Sequence, residues 1–268
     1  EESPPIARTI PLSSIYTEGT LNIDAATYSG NQDGWTKIVG NGQWIDGEKL
    51  AVSAVNVTAS YIILENFKVR GGIKHGIYLN STCANVRIIN SEVTGWGRVG
   101  TLSDADGAYV DETGEVINND AAVYLNGVLN LLVERCYFHD PRGTANSWHY
   151  KGIDVSTHPK GPNAMFINSK GGIVIRYNDF IGSDEHRFND VIEGLNNNYQ
   201  SGGFNKNSDI YGNMLCFAND DIIELDGGQS NVRFFNNRCE GAYTGVSVAC
   251  NVLGPSYIYR NLFTNLGD

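Results

Sequence analysis

The feature that most constrains this chain is a short phrase that recurs along it: an apolar stretch closing on asparagine, followed two or three residues later by another apolar residue. It reads Ile63-Leu64-Glu65-Asn66, Arg87-Ile88-Ile89-Asn90, Ile175-Arg176-Tyr177-Asn178, Ile210-Tyr211-Gly212-Asn213, Phe234-Phe235-Asn236-Asn237 and Ile258-Tyr259-Arg260-Asn261. In Val133-Glu134-Arg135-Cys136 the asparagine is replaced by cysteine. The seven positions 66, 90, 136, 178, 213, 237 and 261 are separated by 24, 46, 42, 35, 24 and 24 residues. A period of 24 with three enlarged copies accounts for all of them, and a fixed period of this size is the signature of a solenoid.

Each copy carries a second short segment about twelve residues past its asparagine. These are Gly76–Asn80, Ala122–Asn126, Gly152–Val155, Asp190–Glu193, Ile222–Asp226 and Gly245–Val248, and each alternates apolar and polar residues as a strand with one buried face does. Short strands without a helical period describe one coil of a parallel β-solenoid, in which each coil buries its inner face only against its neighbours. Composition agrees. With 31 glycines and 30 asparagines among 268 residues, a helix bundle is excluded, because both residues favour turns over helices. Asparagine also tolerates the left-handed backbone of a sharp corner, and stacked asparagines can hydrogen-bond to one another. The expected fold is therefore all-β: a right-handed parallel β-helix of about eight coils of about 24 residues with inserted loops. Residues 1–34 form an N-terminal segment and cap, and 35–268 a single helix domain.

The segments Ile38-Val39-Gly40, Ile45-Asp46-Gly47 and Ala59-Ser60-Tyr61-Ile62-Ile63-Leu64-Glu65-Asn66-Phe67 resemble the first coils of the right-handed parallel β-helix proteins of the pectate-lyase-like superfamily. The resemblance covers about residues 35 to 265 and implies a polysaccharide-active protein; it is a resemblance of fold, and the site needs its own argument.

Against the 24-residue template, extra residues fall at about 95–120, 139–150, 157–170 and 195–207. Loops inserted on successive coils stack into the walls of a groove whose floor is the second strand of each copy. These loops bring Trp96, Tyr109, Trp148, Tyr150, Phe188, Tyr199 and Phe204, aromatic rings suited to sugar faces or to burial beneath a loop. On the floor, aligning the strands gives one outward column of Tyr78, Tyr124, Asp154, Glu193, Glu224 and Ser247. A second column holds Ala121, Lys151, Asp190, Asp221 and Thr244. Column neighbours in a parallel stack lie ~5 Å apart. Acids stacked in this way repel, so they are either neutralised or used. They can hold a cation, for which calcium and its oxygen ligands fit best, with Asp190 and Asp221 as candidate ligands. They can also form the acid and base (or nucleophile) pair of a glycosidase, drawn from Asp154, Glu193, Asp221 and Glu224, with Glu193 and Glu224 the preferred pair.

Asn189-Asp190 and Asn219-Asp220-Asp221 are similar to the Asn-x-Asp and Asp-Asp elements of polygalacturonase-type hydrolases, though no residue separates Asn189 from Asp190. The Gly-His-Gly of that family is absent one coil later, where Tyr243-Thr244-Gly245 stands, and no Arg-x-Lys follows. The competing expectation is a calcium-dependent lyase that abstracts the proton beside a uronate carboxylate. Lys151 is its best base, and Tyr124, His149, His158, Lys160, His186 and Arg187 stand near the groove. Trp148, Tyr199, Tyr124, His149, His158 and Arg187 are the expected substrate contacts. A third expectation is a glycan-binding β-helix without catalysis. Asp104-Ala105-Asp106-Gly107 with Asp111, Glu112 and Glu115 resembles part of a calcium loop but lacks the EF-hand spacing, and reads as a solvated loop.

The net charge of -11 argues against a nucleic-acid partner, and no run of 18 apolar residues suggests a membrane span. The five cysteines, none in a Cys-x-x-Cys pair, read as buried thiols in strands rather than a zinc site. A chain beginning at Glu1 with abundant Asn, Gly and Tyr suits a secreted or periplasmic protein. Its last coil ends without a capping element, so a further stretch of chain or another subunit is expected to cover it.

Overall fold

The computed structural model describes residues 3–48, 51–103, 107–149, 158–249 and 251–267. Its frame is three long sheets of nine, eight and eight strands, each parallel throughout. The chain visits them in rotation. Ile62–Glu65 lies in the first sheet, Lys68–Gly71 in the second and His75–Leu79 in the third, and Ala84–Ile89 then returns to the first beside Ile62–Glu65. One such passage is a coil, and the arrangement is consistent with a β-helix solenoid. An isolated antiparallel pair, Thr101–Leu102 with Tyr109–Val110, lies in the 95–120 insertion.

The inner faces form one apolar core that includes Ile77, Val93, Val123, Leu131, Ile175, Ile192, Ile210 and Phe234, with Phe138 and Phe180 stacked 4.8 Å apart. Alternation places these residues inward because successive strand side chains point to opposite faces. Cys83, Cys136, Cys216 and Cys239 are free and buried, as expected, while Cys250 lies outside the described residues. The sheets already begin ahead of residue 35: Ile6–Pro11 pairs with Trp35–Val39, and Leu21–Ile23 with Ser53–Val57. Leu12 and Tyr16 are buried against the first coil.

The asparagine phrase divides into two roles at adjacent positions. The left-handed corner residues are Asn66, Asn90, Arg135, Tyr177, Asn236 and Arg260, all with φ between 50 and 57°, together with Gly212 at 66°. The next residue points inward: Phe67, Ser91, Cys136, Asn178, Asn213, Asn237 and Asn261. Asn66 and Asn90 therefore make the bend itself, whereas the later four form a ladder beneath it. Asn213 Oδ1 accepts from the Asn178 backbone N–H and from Asn178 Nδ2, both at 3.0 Å. Asn213 Nδ2 donates to Ile175 O and to Asn237 Oδ1, also at 3.0 Å. Asn237 repeats the pattern with Asn261 and Ile210 O. The gap to residue 136 consequently belongs to Arg135, one residue earlier than the asparagine alignment puts it.

A second bend crosses the first sheet at Tyr61, Asn85, Asn130, Gly172, Asn207 and Asn231, all with positive φ. Here the amides lie at the surface and pair as Asn130–Asn85 and Asn231–Asn207. Gly172 takes the same bend at φ 72°, where a Cβ would stand 2.1 Å from the side-chain Oδ1 of Asn130.

Candidate functional site

The expected groove floor corresponds to the outer face of the third sheet. Its strands include His75–Leu79, Ala121–Leu125, Asn163–Ile167, Ile192–Gly194, Asp221–Glu224 and Thr244–Ser247. One column is expected to pass through Asp154, but the paired residue between Tyr124 and Glu193 is Phe166. Gly152–Val155, with Asp154 and Lys151, lies outside the described residues, and the strand of that coil is Asn163–Ile167. The slip arises because Gly152–Val155 alternates apolar and polar residues, whereas Asn163–Ile167 is one polar residue followed by four apolar ones; Asn163–Ile167 has register partners on both sides. The observed column is Tyr78, Tyr124, Phe166, Glu193, Glu224 and Ser247, and the companion column is His75, Ala121, Asn163, Asp190, Asp221 and Thr244.

The two ends of the first column differ in chemistry. Tyr78 and Tyr124 stack at 5.5 Å and 15°, and Tyr124 and Phe166 at 4.6 Å and 6°. The faces of Tyr124 are thus covered by its neighbours, leaving its edge and hydroxyl to the groove, so a sugar cannot stack on it. Burial, followed by the Tyr78 charge, raises its hydroxyl pKa, which disfavours it as a base at neutral pH.

Beyond Phe166 the column turns acidic. Asp190, Glu193 and Glu224 present oxygens that all lie within 4.8 Å of one another, and so do Asp190, Asp220 and Asp221. Asp190 is buried: its Oδ1 accepts the Asp221 backbone N–H at 2.9 Å and its Oδ2 accepts Asn189 Nδ2 at 2.7 Å. The same amide nitrogen reaches Glu193 Oε2 at 3.0 Å. Glu224 Oε2 accepts from Gly194 N at 3.0 Å and from Asn197 Nδ2 at 2.8 Å. Asp221 accepts the Thr244 hydroxyl, and Asp226 accepts Ser247 Oγ and the Ala249 N–H.

Like charges in a dry place make ionisation costly. Burial, then the charges of Glu193 and Glu224, lifts Asp190 well above the usual carboxylate range. Burial and the Glu224 charge do the same to Glu193. Asp221 is pushed up to about 8 by burial and by the charges of Asp220, Glu224 and Asp226. Burial also raises Asp220, opposed by the Trp148 hydrogen bond and by His158.

The expected substrate contacts separate into those that reach the acids and those that do not. Trp148 Nε1 donates to Asp220 Oδ1 at 3.0 Å, and His158 Nε2 lies 3.5 Å from Asp220 Oδ2. The Trp148 ring is 4.8 Å from His158 and 5.7 Å from Tyr243, and His149 is 5.9 Å from Tyr243. Arg187 is tied to Asp184, Asn219, Ala218 O and Gly241 O, which makes it a corner clamp. Tyr199 is exposed on the loop whose Asn197 touches Glu224. Trp96, Phe188 and Phe204 are buried in the core rather than lining the groove. Asn163 and Asn197 carry no signal in the sequence, because amides have no distinctive pattern outside a register, whereas Thr244 stands in its expected column.

Asp111 and Glu115 pair with Arg98, which also binds Asp120, so these acids hold the insertion to the coil. Asp104 and Asp106 lie outside the described residues. No helix is long and apolar enough to cross a membrane among the described residues. No family model, no curated protein and no solved structure matches this chain.

Proposed function

We propose that this chain is a right-handed parallel β-helix of the pectate-lyase-like kind, with about eight coils, and that it is a secreted glycoside hydrolase acting on a polysaccharide. The observation that carries the activity is the Glu193–Glu224 pair, neighbours in one column and within 4.8 Å of each other at their oxygens. Glu193 is partly exposed, and burial with the neighbouring charge favours its protonated form. That makes it the general acid towards a leaving oxygen. Glu224, fixed by Gly194 N and Asn197 Nδ2, is the base or nucleophile. A close pair of carboxylates suits the retaining route, in which the second carboxylate attacks the sugar directly. Asp190 supports Glu193 through the shared Asn189 amide.

The test is a screen of plant, algal and microbial polysaccharides for new reducing ends. Glu193→Gln and Glu224→Gln serve as controls, and NMR identifies the anomer released first. Cleavage by wild type that both variants lose supports the pair; full activity in both overturns it.

The carboxylate triads favour a second reading. Asp190, Glu193 and Glu224, or Asp190 with Asp220 and Asp221, offer the oxygens that calcium takes. In a calcium-dependent lyase, the ion would offset a uronate's charge while a base removes the adjacent proton. That activity would give unsaturated, ultraviolet-absorbing products and would stop on chelation, whereas hydrolysis by the carboxylate pair continues.

A further inference from the structure

Among the described residues the side chains of the site offer more acceptors than donors. Asp190, Glu193, Asp220, Asp221 and Glu224 bring five carboxylates into two clusters that share Asp190. Among the described residues no lysine or arginine forms an ion pair with any of them; the sole basic contact is His158, 3.5 Å from Asp220 on a side chain that is 61% exposed. Arg187, the nearest arginine in sequence, spends its guanidinium on Asp184, Asn219 and two backbone carbonyls.

The buried amides around the cluster show the same imbalance. Asn189 is 2% exposed and its amide reaches into the cluster, with Nδ2 between Asp190 and Glu193, yet its Oδ1 has no partner. Gln229, wholly buried, donates to the backbone oxygens of Glu224 and Asp226 and leaves its Oε1 unpartnered. Asn197, bonded to Glu224, also has a free Oδ1. The one unpartnered donor in this group is Asn163 Nδ2. A uronate would add acceptors and negative charge to a place where the described side chains already offer more acceptors than donors. An ammonium group brings one positive charge and three donors, with no acceptor. Beside Asp220 the Trp148 ring, whose edge N–H donates to the carboxylate, lies 4.8 Å from His158 and 5.7 Å from Tyr243, and the π-faces of such rings attract a cation.

We propose that the substrate is a glycan bearing free amino groups, with the ammonium of one sugar ring taken by the Asp220 carboxylate beside Trp148 and Tyr243. This rests on the hydrolase reading of the same site and names its substrate class. The exposed His158 imidazole is the group the ammonium displaces from Asp220. The amine recognises the site by charge and donors, and the sugar ring then lies across the floor towards Glu193 and Glu224.

The test is calorimetric binding of three oligosaccharides of equal length to chelator-treated protein: a glucosamine oligomer, its N-acetylated form and an oligogalacturonide. The measurements are made below the amine's pKa. The glucosamine oligomer is expected to bind at least about tenfold more tightly than the acetylated one, to weaken with added salt, and to outbind the oligogalacturonide. Asp220→Asn is expected to erase most of that preference. Equal binding of amine and acetylated forms overturns the proposal without any variant, as does preference for the uronate. Full preference in a folded Asp220→Asn protein overturns the assignment to Asp220. Cleavage assays on the matching polymers separate the two readings. Cleavage without amine preference sinks the substrate class alone, and amine-selective binding without cleavage sinks the hydrolase alone.

Discussion

The amides of Asn178, Asn213, Asn237 and Asn261 are stacked one coil above another at a corner, and the carboxylates of Asp190, Glu193, Asp221 and Glu224 are stacked on the third sheet across two of the same coils. Both columns remove polar groups from water. In the ladder, Asn213 uses its whole hydrogen-bonding capacity, two bonds accepted and two donated, because an amide is at once donor and acceptor and matches a copy of itself. An ionised carboxylate only accepts, so a copy of itself is the one neighbour it cannot satisfy. The acid column therefore depends on protons, on amides such as Asn189 and Asn197, or on a ligand. Stacking identical residues makes a scaffold when the group is self-complementary and a reactive surface when it is not.

Replacements in the two columns should separate these roles. The largest effect belongs to the acids: Glu193→Gln or Glu224→Gln is expected to lower kcat on a cleaved glycan by about 10²–10⁴-fold with an unchanged circular dichroism spectrum. Loss of the fold in both would erase the distinction. The ladder should show the reverse pattern. Asn213→Ala strands the Asn178 N–H, the Asn178 amide and Ile175 O in the interior, and should cost about 3 kcal/mol in denaturant unfolding while the folded fraction keeps its kcat.

The third test uses pH. Burial raises Asp221 in the folded chain from an unfolded value near 3.8 to about 8, so the native state binds its proton more tightly than the unfolded chain does. The stability this contributes is complete below about pH 4 and is lost as pH rises through about 8; Asp190 and Glu193 act in the same direction. Thermal midpoints should fall across that window and fall less in Asp221→Asn. Asn213→Ala should lower the midpoint without changing its slope against pH. The smallest effect is expected at the surface bend, where Asn231→Ala replaces a residue that tolerates φ 53° by one that disfavours it and gives up one exposed bond, at about 1 kcal/mol.

The period and the alternation of the strands were legible in the sequence because each is a repeated local preference. Asn66 and Asn178 look alike in a row of text, yet one bends the backbone and the other bonds beneath the bend, a distinction of one residue that only register reveals. The acids at 190, 193, 221 and 224 could be read as neighbours because the insertion of the first of their coils, at about 195–207, follows its strand and leaves the alternation of both strands intact. The coil before them carries the long insertion, and there alternation alone chose Gly152–Val155 over Asn163–Ile167. Asn197 and Gln229 could not be read at all, since their meeting with Glu224 depends on the path of a loop.

The Asn178–Asn213 bonds join the same two coils whose acids, Glu193 and Glu224, push apart. Clamp and repulsion act at opposite corners of one interface, so the two coils are built like a book, with the ladder as its spine and the third sheet as its opening edge. When the acids lose their protons, the amides of Gly194 and Asp221, bonded to Glu224 and Asp190, should exchange with deuterium before those of Asn178 and Asn213 do.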